Sequence, residues 1–490
     1  MNKITFSKVE KEALNYLSKK DLKKVKSAFL FAEKAHRGQK RKSGESYICH
    51  PLAVTYNLAK LGLDLETLQA ALLHDVVEET DITISDLEKK FGKTVSQLVD
   101  GVTKTGQVKF RERGDYAHGL DVQVKNLRKM FLVMAQDLRV VLIRLYDRLH
   151  NMETLSFLPR KKQKRIAAET IEVYAPLAHR LGMGEVKGTL EDLAFPYVYP
   201  AEYKKLKKEI AQKLSVREKY IEKVKRFLGE ELAKEKIKAS IDGRAKHLYS
   251  LYKKLQKYEN DLSKIYDLVA LRIIVDNVSD CYKVLGIVHK NFKPLLGRIK
   301  DYISMPKPNG YRSLHTTVFC LGGEITEIQI RTKKMHEQAE FGIAAHWHYA
   351  TSKESDVIPA DEAIWVKELS RWRMFPKESK DFLDALKIDI FSDRIYVFTP
   401  KGEIKELPEG ATPIDFAYEV HSDIGNTCVG AKINGKLVQL DGFIKNGDIV
   451  EIITRENSKP KEDWLNFAKT AKAKGLIRNY LKSQRQKGLI

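Results

Sequence analysis

The feature that most restricts the fold of this chain is a change of hydrophobic period along its length. Up to about residue 195, apolar residues recur at the spacing of amphipathic helices, and few turn signals interrupt them. From 239 to about 350, β-rich runs alternate with helical ones, and after Ile388 short strands are separated by turn signals such as Asn434-Gly435. These patterns predict an all-α domain, an α+β domain and a small β-rich domain, in that order.

The length agrees with such a division, because 490 residues exceed what one compact core usually holds and suggest roughly three domains. Between 196 and 238 a Lys/Glu-rich amphipathic stretch predicts a connecting pair of helices rather than part of a core. The predicted limits are 1–195 for the all-α domain, 196–238 for the helical connector, 239–350 for the α+β domain, 351–387 for a helical linker, 388–455 for the β-rich domain and 456–490 for a basic helical tail.

Charge indicates the class of partner. The formal net charge of +22 favours polyanions such as nucleotides or RNA, although a Lys-rich solvated surface would give much of the same balance. The C-terminal segment is more specific, because no acidic residue follows Asp463 while lysines and arginines recur to the end. This tail predicts contact with RNA.

Two classes of protein are disfavoured. No stretch approaches the roughly 20 apolar residues that a membrane helix needs, and the N-terminus lacks the apolar run of a secretory signal, so we expect a cytoplasmic protein without a membrane partner. The four cysteines are scattered without a CxxC pair, which argues against a disulfide framework and against a zinc finger.

Histidines and carboxylates end apolar helix faces in the all-α domain. Such groups need partners, because burying them unpaired is costly. Two imidazoles and two carboxylates suit Mn²⁺, Fe²⁺ or Zn²⁺ better than Ca²⁺, and such an ion lowers the pKa of a water for attack on phosphorus. The alternative is a set of satisfied capping and core polar residues. The candidate ligands are His50, His74, Asp75 and Asp147, with Glu78 and Glu79 nearby for proton transfer or water positioning.

A second polar constellation lies in the α+β domain. In the strand 326–332, Glu327, Gln329 and Arg331 alternate with isoleucines, and Asp267 interrupts another apolar strand where it can hold Mg²⁺. Half-burial of the strand explains the alternation equally well without chemistry. Tyr311 stands beside a turn that can present its ring to a purine, or it is a core or surface tyrosine. Basic residues suited to a triphosphate are dense here, at Arg244, Lys246, Lys254, Arg272 and Lys307.

The stretches AHRGQKRKSGESYICHP, ALLHDVVEETDIT and LYDRLHNMETL resemble the HD-type hydrolase domain of the RelA/SpoT homologues, the long (p)ppGpp synthetase/hydrolases. The resemblance implies removal of the 3′-pyrophosphate from (p)ppGpp to leave GDP or GTP. It implies Mn²⁺ ligands at His50, His74, Asp75 and Asp147, an acidic pair at Glu78 and Glu79, and nucleotide contacts from Arg41, Lys42 and Asn151. The sequence departs from the family at Glu79, where an aspartate is usual.

The stretches GRAKHLYSLYKK, IYDLVALRIIV and EIQIRTKKMHEQAEFGIAAHW are similar to the synthetase domain of the same family. This implies pyrophosphoryl transfer from ATP to the 3′-hydroxyl of GDP or GTP. Asp267 would bind Mg²⁺, Glu327 would act as base on the hydroxyl and Tyr311 would stack on guanine. The phosphates would be held by Arg244, Lys246, Lys254, Arg272 and Lys307, with His315 close by. The loop 298–301 matches the RxKD form of bifunctional members.

The segment 389–454 resembles a TGS domain, a β-grasp fold. The resemblance implies that His421 contacts the CCA end of uncharged tRNA, whereas the residue by itself is equally read as a polar group at a helix end. The chain stops just after this domain, so we expect the ribosome-sensing region of long members to be absent.

The sequence thus predicts a bifunctional enzyme of the stringent response with ATP, GDP or GTP and (p)ppGpp as its nucleotides. Uncharged tRNA or the ribosome would be reached through the TGS domain and the basic tail. Two alternatives remain at this point. In the first, Glu79 displaces the hydrolytic water and the chain retains synthesis alone. In the second, the chain is a tRNA- or ribosome-binding regulator with degenerate catalytic domains.

Overall fold

A computed structural model describes residues 4–106, 137–257, 269–307, 309–345 and 394–486 of the chain. The protein divides into two compact units, Met1–Met374 and Phe375–Ile490, and each is treated by itself. Asp267, the proposed Mg²⁺ ligand, lies outside the described residues, as does the predicted helical linker 351–387.

The first part of unit 1 is helical, as the sequence period predicts. Its core comes from apolar side chains at helical spacing, such as Leu68 and Leu72 on one helix and Val141 and Leu145 on another, all fully buried. The helices are Phe6–Ala13, Lys19–Ala35, Cys49–Lys60, Leu65–Leu73, Val76–Glu79, Ile84–Phe91, Lys93–Gly106, Leu138–Glu153, Arg160–Glu169, Ala175–Arg180 and Gly184–Val198, with a π-helical turn at Thr170–Tyr174.

The predicted pair of connecting helices is wrong, because a single helix of 35 residues runs from Pro200 to Lys234. No proline interrupts it after its first residue, and its charged residues are good helix formers. The last part of the helix is also not a mere bridge. Ile221, Val224 and Leu228 are buried in the core of the following domain, because their spacing places them on one helix face.

The α+β part of unit 1 is built on a sheet with strand order β1-β2-β6-β5-β3, in which β4 pairs with β5. Strands β2 and β6 are parallel and the other pairs are antiparallel. The strands are β1 Ala239–Ala245, β2 Val269–Val275, β3 Lys293–Pro294, β4 Lys300–Asp301, β5 Leu314–Phe319 and β6 Ile325–Thr332, and the helices are Leu248–Lys257, Val278–Asn291 and Lys333–Phe341.

One face of this sheet is apolar and the other is polar. Ile273 of β2 and the paired residues Leu271 and Ile328 are completely buried beneath the helix Val278–Asn291 and the end of the 35-residue helix. Because side chains alternate along a strand, the residues between them point to the opposite face. That polar face carries the second predicted constellation.

The described part of unit 2 contains β7 Arg394–Phe398, β8 Ile404–Pro408, β9 Cys428–Ile433, β10 Lys436–Val438, β11 Val450–Thr454 and the helices Pro413–Val420, Ser422–Asn426, Trp464–Phe467 and Ala471–Gln486. Strands β7 and β8 form a two-stranded sheet, and the other three form a sheet in the order β10-β9-β11. The buried Asp415 carboxylate accepts from the backbone of Lys469 and Thr470, which ties the basic tail helix to this unit.

The prediction of a multidomain chain with an all-α domain, an α+β domain and a small β-rich domain is confirmed. Within the described residues, no helix is both long and apolar enough to span a membrane.

Candidate active sites

The structure brings the predicted metal ligands of the helical domain together from three helices. His50 lies in the first turn of the helix Cys49–Lys60, and His74 ends the helix Leu65–Leu73. Asp147 lies in the middle of the helix Leu138–Glu153. One ligand atom from each of these three buried residues lies within 4.8 Å of the other two.

The fourth predicted ligand, Asp75, borders this cluster. Its Oδ2 is 3.6 Å from His50 Nε2, and its Oδ1 is 3.2 Å from His74 Nε2. His74 Nδ1 lies 2.8 Å from the carbonyl oxygen of Ala71. Because a carbonyl can only accept a hydrogen bond, Nδ1 carries the proton and donates it. Nε2 is then a lone-pair donor, and this buried atom has no hydrogen-bond partner among the described residues. The donor set fits a divalent ion.

Electrostatics keep the carboxylates of this cluster ionised. Burial acts to raise the pKa of Asp147, but the Arg144 guanidinium outweighs it and holds that pKa well below its usual range. Burial opposes ionisation of Asp75 in the same way, and the hydrogen bond from the Tyr47 hydroxyl helps to hold its pKa below the ordinary value. Two carboxylates and two imidazoles in one buried place are thus ready for a cation.

Sequence reasoning missed His150, which sets the tautomer of His50. Arg41 Nη1 lies 3.0 Å from His150 Nδ1, and a guanidinium only donates, so His150 Nδ1 is an acceptor. His50 Nδ1, 2.8 Å from the same atom, must then carry a proton that it donates. This leaves His50 Nε2 unprotonated toward Asp147 at 3.2 Å. The signal in the sequence was the spacing of His150 three residues after Asp147, on one helix face.

Two further unpredicted contacts hold the carboxylates. Arg144 Nη1 donates to Asp147 Oδ2 at 2.6 Å, and the Tyr47 hydroxyl donates to Asp75 Oδ2 at 3.0 Å. Such groups orient metal ligands and are as much part of a site as the ligands themselves.

The predicted nucleotide contacts and acidic pair surround the cluster. Arg41 Nη2 donates to Asn151 Oδ1 at 2.5 Å, and Asn151 Nδ2 donates to Asp147 Oδ1 at 2.5 Å. Lys42 is exposed, and so are both glutamates of the helix Val76–Glu79. Partial burial and the nearby Asp75 raise the pKa of Glu78, which suits proton transfer.

The second constellation lies on the polar face of the α+β sheet. Register places Arg272 of β2 beside Gln329 of β6, and Gln329 beside His315 of β5. Glu327 shares this face because it is two residues from Gln329 on the same strand, and Arg244 does so on β1. Five polar or charged side chains therefore lie on one face of the sheet, although residues 244 and 329 are 85 positions apart in the sequence.

Tyr311, His315 and Glu327 form a hydrogen-bonded chain. His315 Nδ1 is 3.1 Å from Glu327 Oε1, and His315 Nε2 is 2.8 Å from the Tyr311 hydroxyl. Gln329 also donates to Glu327 Oε1, at 3.1 Å. Burial acts against the charge on Glu327, but the hydrogen bond from His315 lowers its pKa to about 2. Glu327 is thus a carboxylate acceptor held by an imidazole, a geometry suited to receive a proton from a hydroxyl.

The predicted phosphate-binding residues lie around this chain. Lys307 Nζ is 5.6 Å from the ring centroid of Tyr311, and Lys246 contributes to the lowered pKa of Glu327. Lys254 lies on the adjacent helix Leu248–Lys257. Glu340, which the sequence did not single out, binds the two arginines: its Oε1 is 3.0 Å from Arg272 Nη1 and 3.6 Å from Arg244 Nη1.

In unit 2, His421 has 62% of its side chain exposed. Its Nδ1 accepts from the backbone N–H of Asp423 at 3.2 Å, so it caps the helix Ser422–Asn426. The cap gives His421 a structural role and leaves most of its ring accessible.

Comparisons with known proteins agree with this division of the chain. Residues 28–184 match the HD domain, residues 243–354 match the region found in RelA / SpoT proteins, and residues 395–454 match the TGS domain.

Curated relatives are similar over almost all of this chain. The GTP pyrophosphokinase of Myxococcus xanthus is 46% identical over 470 residues, which are 96% of this chain and 62% of that protein. The bifunctional (p)ppGpp synthase/hydrolase SpoT of Escherichia coli K12 is 45% identical over 96% of this chain and 66% of that protein. The guanosine-3′,5′-bis(diphosphate) 3′-pyrophosphohydrolase of Aquifex aeolicus is 45% identical over 94% of this chain and 65% of its own length. The chain therefore spans somewhat less than two thirds of these relatives.

Proposed function

Because the chain belongs to the RelA/SpoT family, we propose that it both makes and destroys (p)ppGpp. It transfers pyrophosphate from ATP to the 3′-hydroxyl of GDP or GTP, and it hydrolyses (p)ppGpp to GDP or GTP plus pyrophosphate, acting in the cytoplasm in the stringent response. The observation that carries the proposal is that one chain holds both a clustered His50–His74–Asp147 donor set and a Tyr311–His315–Glu327 chain.

In the hydrolase site, His50, His74, Asp75 and Asp147 would hold Mn²⁺, whose chemistry is Lewis-acid activation of the attacking water. Glu78 and Glu79 position that water and move its proton, which the raised pKa of Glu78 supports. Arg41, Lys42 and Asn151 bind the nucleotide. The side chain of Glu79 is one methylene longer than the usual aspartate and remains a carboxylate at the surface of the site.

In the synthetase site, Glu327 accepts the proton of the 3′-hydroxyl and Tyr311 stacks on guanine. His315 orients both through its two ring nitrogens, at 3.1 and 2.8 Å. Asp267 is proposed as the Mg²⁺ ligand from its position in the motif. The phosphates of ATP and of the acceptor are assigned to Arg244, Lys246, Lys254, Arg272 and Lys307, because transfer of a phosphoryl group depends mainly on alignment and charge neutralisation.

We propose that unit 2 supplies the contacts with uncharged tRNA or the ribosome. His421 is sufficiently exposed for such a contact, and the tail helix Ala471–Gln486 carries no acidic residue. The domain limits proposed for the catalytic parts are 1–195 for hydrolysis and 239–350 for synthesis, and 388–455 is the limit proposed for the TGS domain.

Paired reactions with two substitutions test the two-site proposal. Asp75→Ala removes a proposed metal ligand, so we expect hydrolysis of ppGpp with Mn²⁺ to fall at least 100-fold while synthesis from ATP and GDP with Mg²⁺ is unchanged. Glu327→Gln removes the proposed base, so we expect the reverse, with synthesis reduced at least 100-fold. Nucleotide chromatography of both reactions measures each activity separately.

The matched controls are Asp81→Ala and Glu324→Gln, which make the same chemical changes at exposed positions outside the two sites. Both controls should retain both activities. Loss of both activities in either site variant, with circular dichroism showing a folded protein, would refute the assignment of the activities to separate sites. Failure of the wild-type chain in both reactions, with tRNA binding retained, would favour a regulator with degenerate catalytic domains.

A further inference from the structure

Arg331, near the end of β6, is a buried cation that makes no ion pair and no hydrogen bond through its guanidinium among the described residues. Its side chain is completely inaccessible to solvent, and Nε, Nη1 and Nη2 have no hydrogen-bond partner among the described residues. An arginine carries five N–H donors and is charged at any ordinary pH. Burial of such a group without acceptors is among the least favourable arrangements in a protein. The unsatisfied guanidinium therefore indicates that a ligand with acceptor atoms binds beside it.

The position of Arg331 places it in the synthetase site. It pairs with Ile274 in the parallel β2–β6 register, two residues beyond the pair of Arg272 with Gln329. It therefore points to the same polar sheet face as Glu327 and Arg272. Its guanidinium carbon lies 5.8 Å from the ring centroid of Tyr311, the residue proposed to stack on guanine.

The surroundings of Arg331 are positively charged. Arg272 and Arg244 both reach the Glu340 carboxylate, at 3.0 and 3.6 Å, and His336 Nδ1 lies 3.6 Å from the same oxygen. Glu185 pairs with Arg244 at 3.2 Å. Arg244 and Arg272 thus pair with carboxylates, whereas the buried Arg331 has no ion pair among the described residues.

We propose that Arg331 is the buried member of an anion site, shared with Arg272, that takes a phosphate group of a nucleotide substrate. A phosphate offers several charged acceptor oxygens in the geometry that a guanidinium fork matches. Glu340 is the internal counter-ion, which holds Arg272 and Arg244 when no phosphate is bound and competes with a phosphate for them. The inference rests on the proposed synthetase function and adds to it a residue and a competing carboxylate.

Binding without turnover tests this site. Isothermal titration calorimetry of the full chain uses GDP in one arm and an α,β-methylene analogue of ATP in the other, because the phosphate can belong to the acceptor or to the donor. We expect Arg331→Met to reduce the affinity for one of the two nucleotides at least 10-fold. The nucleotide whose affinity falls is the one that supplies the phosphate bound by Arg331. Arg226→Met, an exposed arginine on the 35-residue helix, should leave both affinities unchanged.

A guanosine titration separates phosphate recognition from base recognition. If the GDP arm weakens in Arg331→Met, guanosine should bind wild type and variant equally. Equal weakening of guanosine and GDP would show that Arg331 contacts the base and would overturn the phosphate assignment.

Thermal stability tests the buried charge of Arg331, and nucleotide affinity tests the competing carboxylate of Glu340. Arg331→Met removes an unpartnered buried charge and keeps the shape of the side chain, so its thermal midpoint should be equal to or above that of wild type. Glu340→Gln removes the competing carboxylate, so it should tighten the nucleotide of the affected arm about 3-fold or more. Weaker binding by Glu340→Gln would overturn the counter-ion role.

Nucleotide binding by wild type and Arg331→Met distinguishes failure of the proposed anion site from failure of the proposed synthetase function. If wild type binds both nucleotides and Arg331→Met binds them equally well, Arg331 is not a ligand residue and the proposed synthetase function stands. If wild type binds neither nucleotide, both the proposed function and this inference are refuted.

Discussion

At the scale of single residues, a hydrogen-bonded chain connects the proposed nucleotide contact Arg41 to the proposed metal ligand His50. His150 lies between them, 3.0 Å from the guanidinium and 2.8 Å from the His50 ring, and burial lowers the pKa of His150 to about 3. A neutral His150 with Nδ1 as acceptor keeps the His50 proton on Nδ1. The ligand atom of His50 is thereby determined by a residue that is not itself a ligand.

Substitution of His150 should therefore weaken metal binding before any chemistry occurs. We expect His150→Ala to reduce Mn²⁺ affinity about 10- to 100-fold, as loss of such orienting partners typically does. His150→Asn should recover part of the loss, because its side-chain oxygen can accept from His50 Nδ1. Electron paramagnetic resonance of free Mn²⁺ during titration measures the affinity without turnover.

The matched control for this experiment is His289→Ala, because His289 lies in the α+β part and contacts Thr316 at 2.9 Å. Its Mn²⁺ affinity should equal that of wild type. Unchanged affinity in His150→Ala would contradict the role of His150 in orienting His50.

At the scale of elements, the helix Gly184–Val198 carries carboxylates that bind the start of the α+β part. Asp192 Oδ2 is 2.8 Å from His247 Nδ1, and Glu185 Oε2 is 3.7 Å from His247 Nε2. Hydrogen bonds to these two carboxylates raise the pKa of His247 to about 9, and the bond from His247 lowers the pKa of Glu185 to about 2. The charged imidazole is thus part of the contact between this helix and the segment that joins β1 to the helix Leu248–Lys257.

This contact should depend on pH. The pKa of His247 is near 6.5 when unfolded and about 9 when folded, so the stabilisation is complete below pH 6.5 and is lost as the pH rises through 9. Allowing for solvent screening, we expect the charged His247 to contribute about 1–2 kcal/mol to the free energy of unfolding. Urea titrations of wild type and His247→Gln between pH 6 and 9.5 measure it. The difference between the two proteins should shrink with increasing pH, and a constant difference would contradict the ionic contact.

At the scale of the whole molecule, the helical part and the α+β part of unit 1 touch through backbone as well as through charge. Gly342 follows the helix Lys333–Phe341 with a φ of 58°, and a Cβ there would lie 2.0 Å from the carbonyl oxygen of Leu181. The next residue, Ile343, donates its N–H to that oxygen at 2.9 Å. Asn309, two residues before Tyr311, donates to the carbonyl of His179 at 3.3 Å. The end of the helix Ala175–Arg180 and the turn that follows it therefore contact the neighbourhood of the proposed guanine site.

Gly342→Ala should open this contact. The added methyl group meets backbone that cannot rotate away, and the positive φ adds strain, so we expect a loss of about 2–3 kcal/mol. The midpoint temperature of the first transition in thermal unfolding measures this loss of stability. Gly286→Ala, in the helix Val278–Asn291 with open space around it, is the control and should be neutral or slightly stabilising. An unchanged first transition in Gly342→Ala would contradict the close approach.

The sequence was sufficient for those features that depend on neighbouring residues. Helical and alternating periods distinguish the three folds, and the alternation around Glu327 and Gln329 correctly places them on one face of β6. The residue types of the metal cluster also appear in the sequence, because imidazoles and carboxylates that end apolar faces need partners. The local pattern did not predict the single 35-residue helix, because the many charged residues obscure the apolar ones that pack into the core of the next domain.

The tertiary structure alone decided the partners that are distant along the chain. Arg41 meets His150 across 109 residues, and Arg272 meets Glu340 across 68 residues. The complete burial of Arg331 likewise depends on what packs over β6, because Glu327 and Gln329, the preceding polar residues on the same strand face, are only partly buried. Local periodicity is a property of a few adjacent residues, whereas tautomers, counter-ions and buried charges depend on atoms that folding brings within a few ångströms. The sequence thus determined the folds and the chemistry of the candidate groups, and the packing decided which of these groups contact one another.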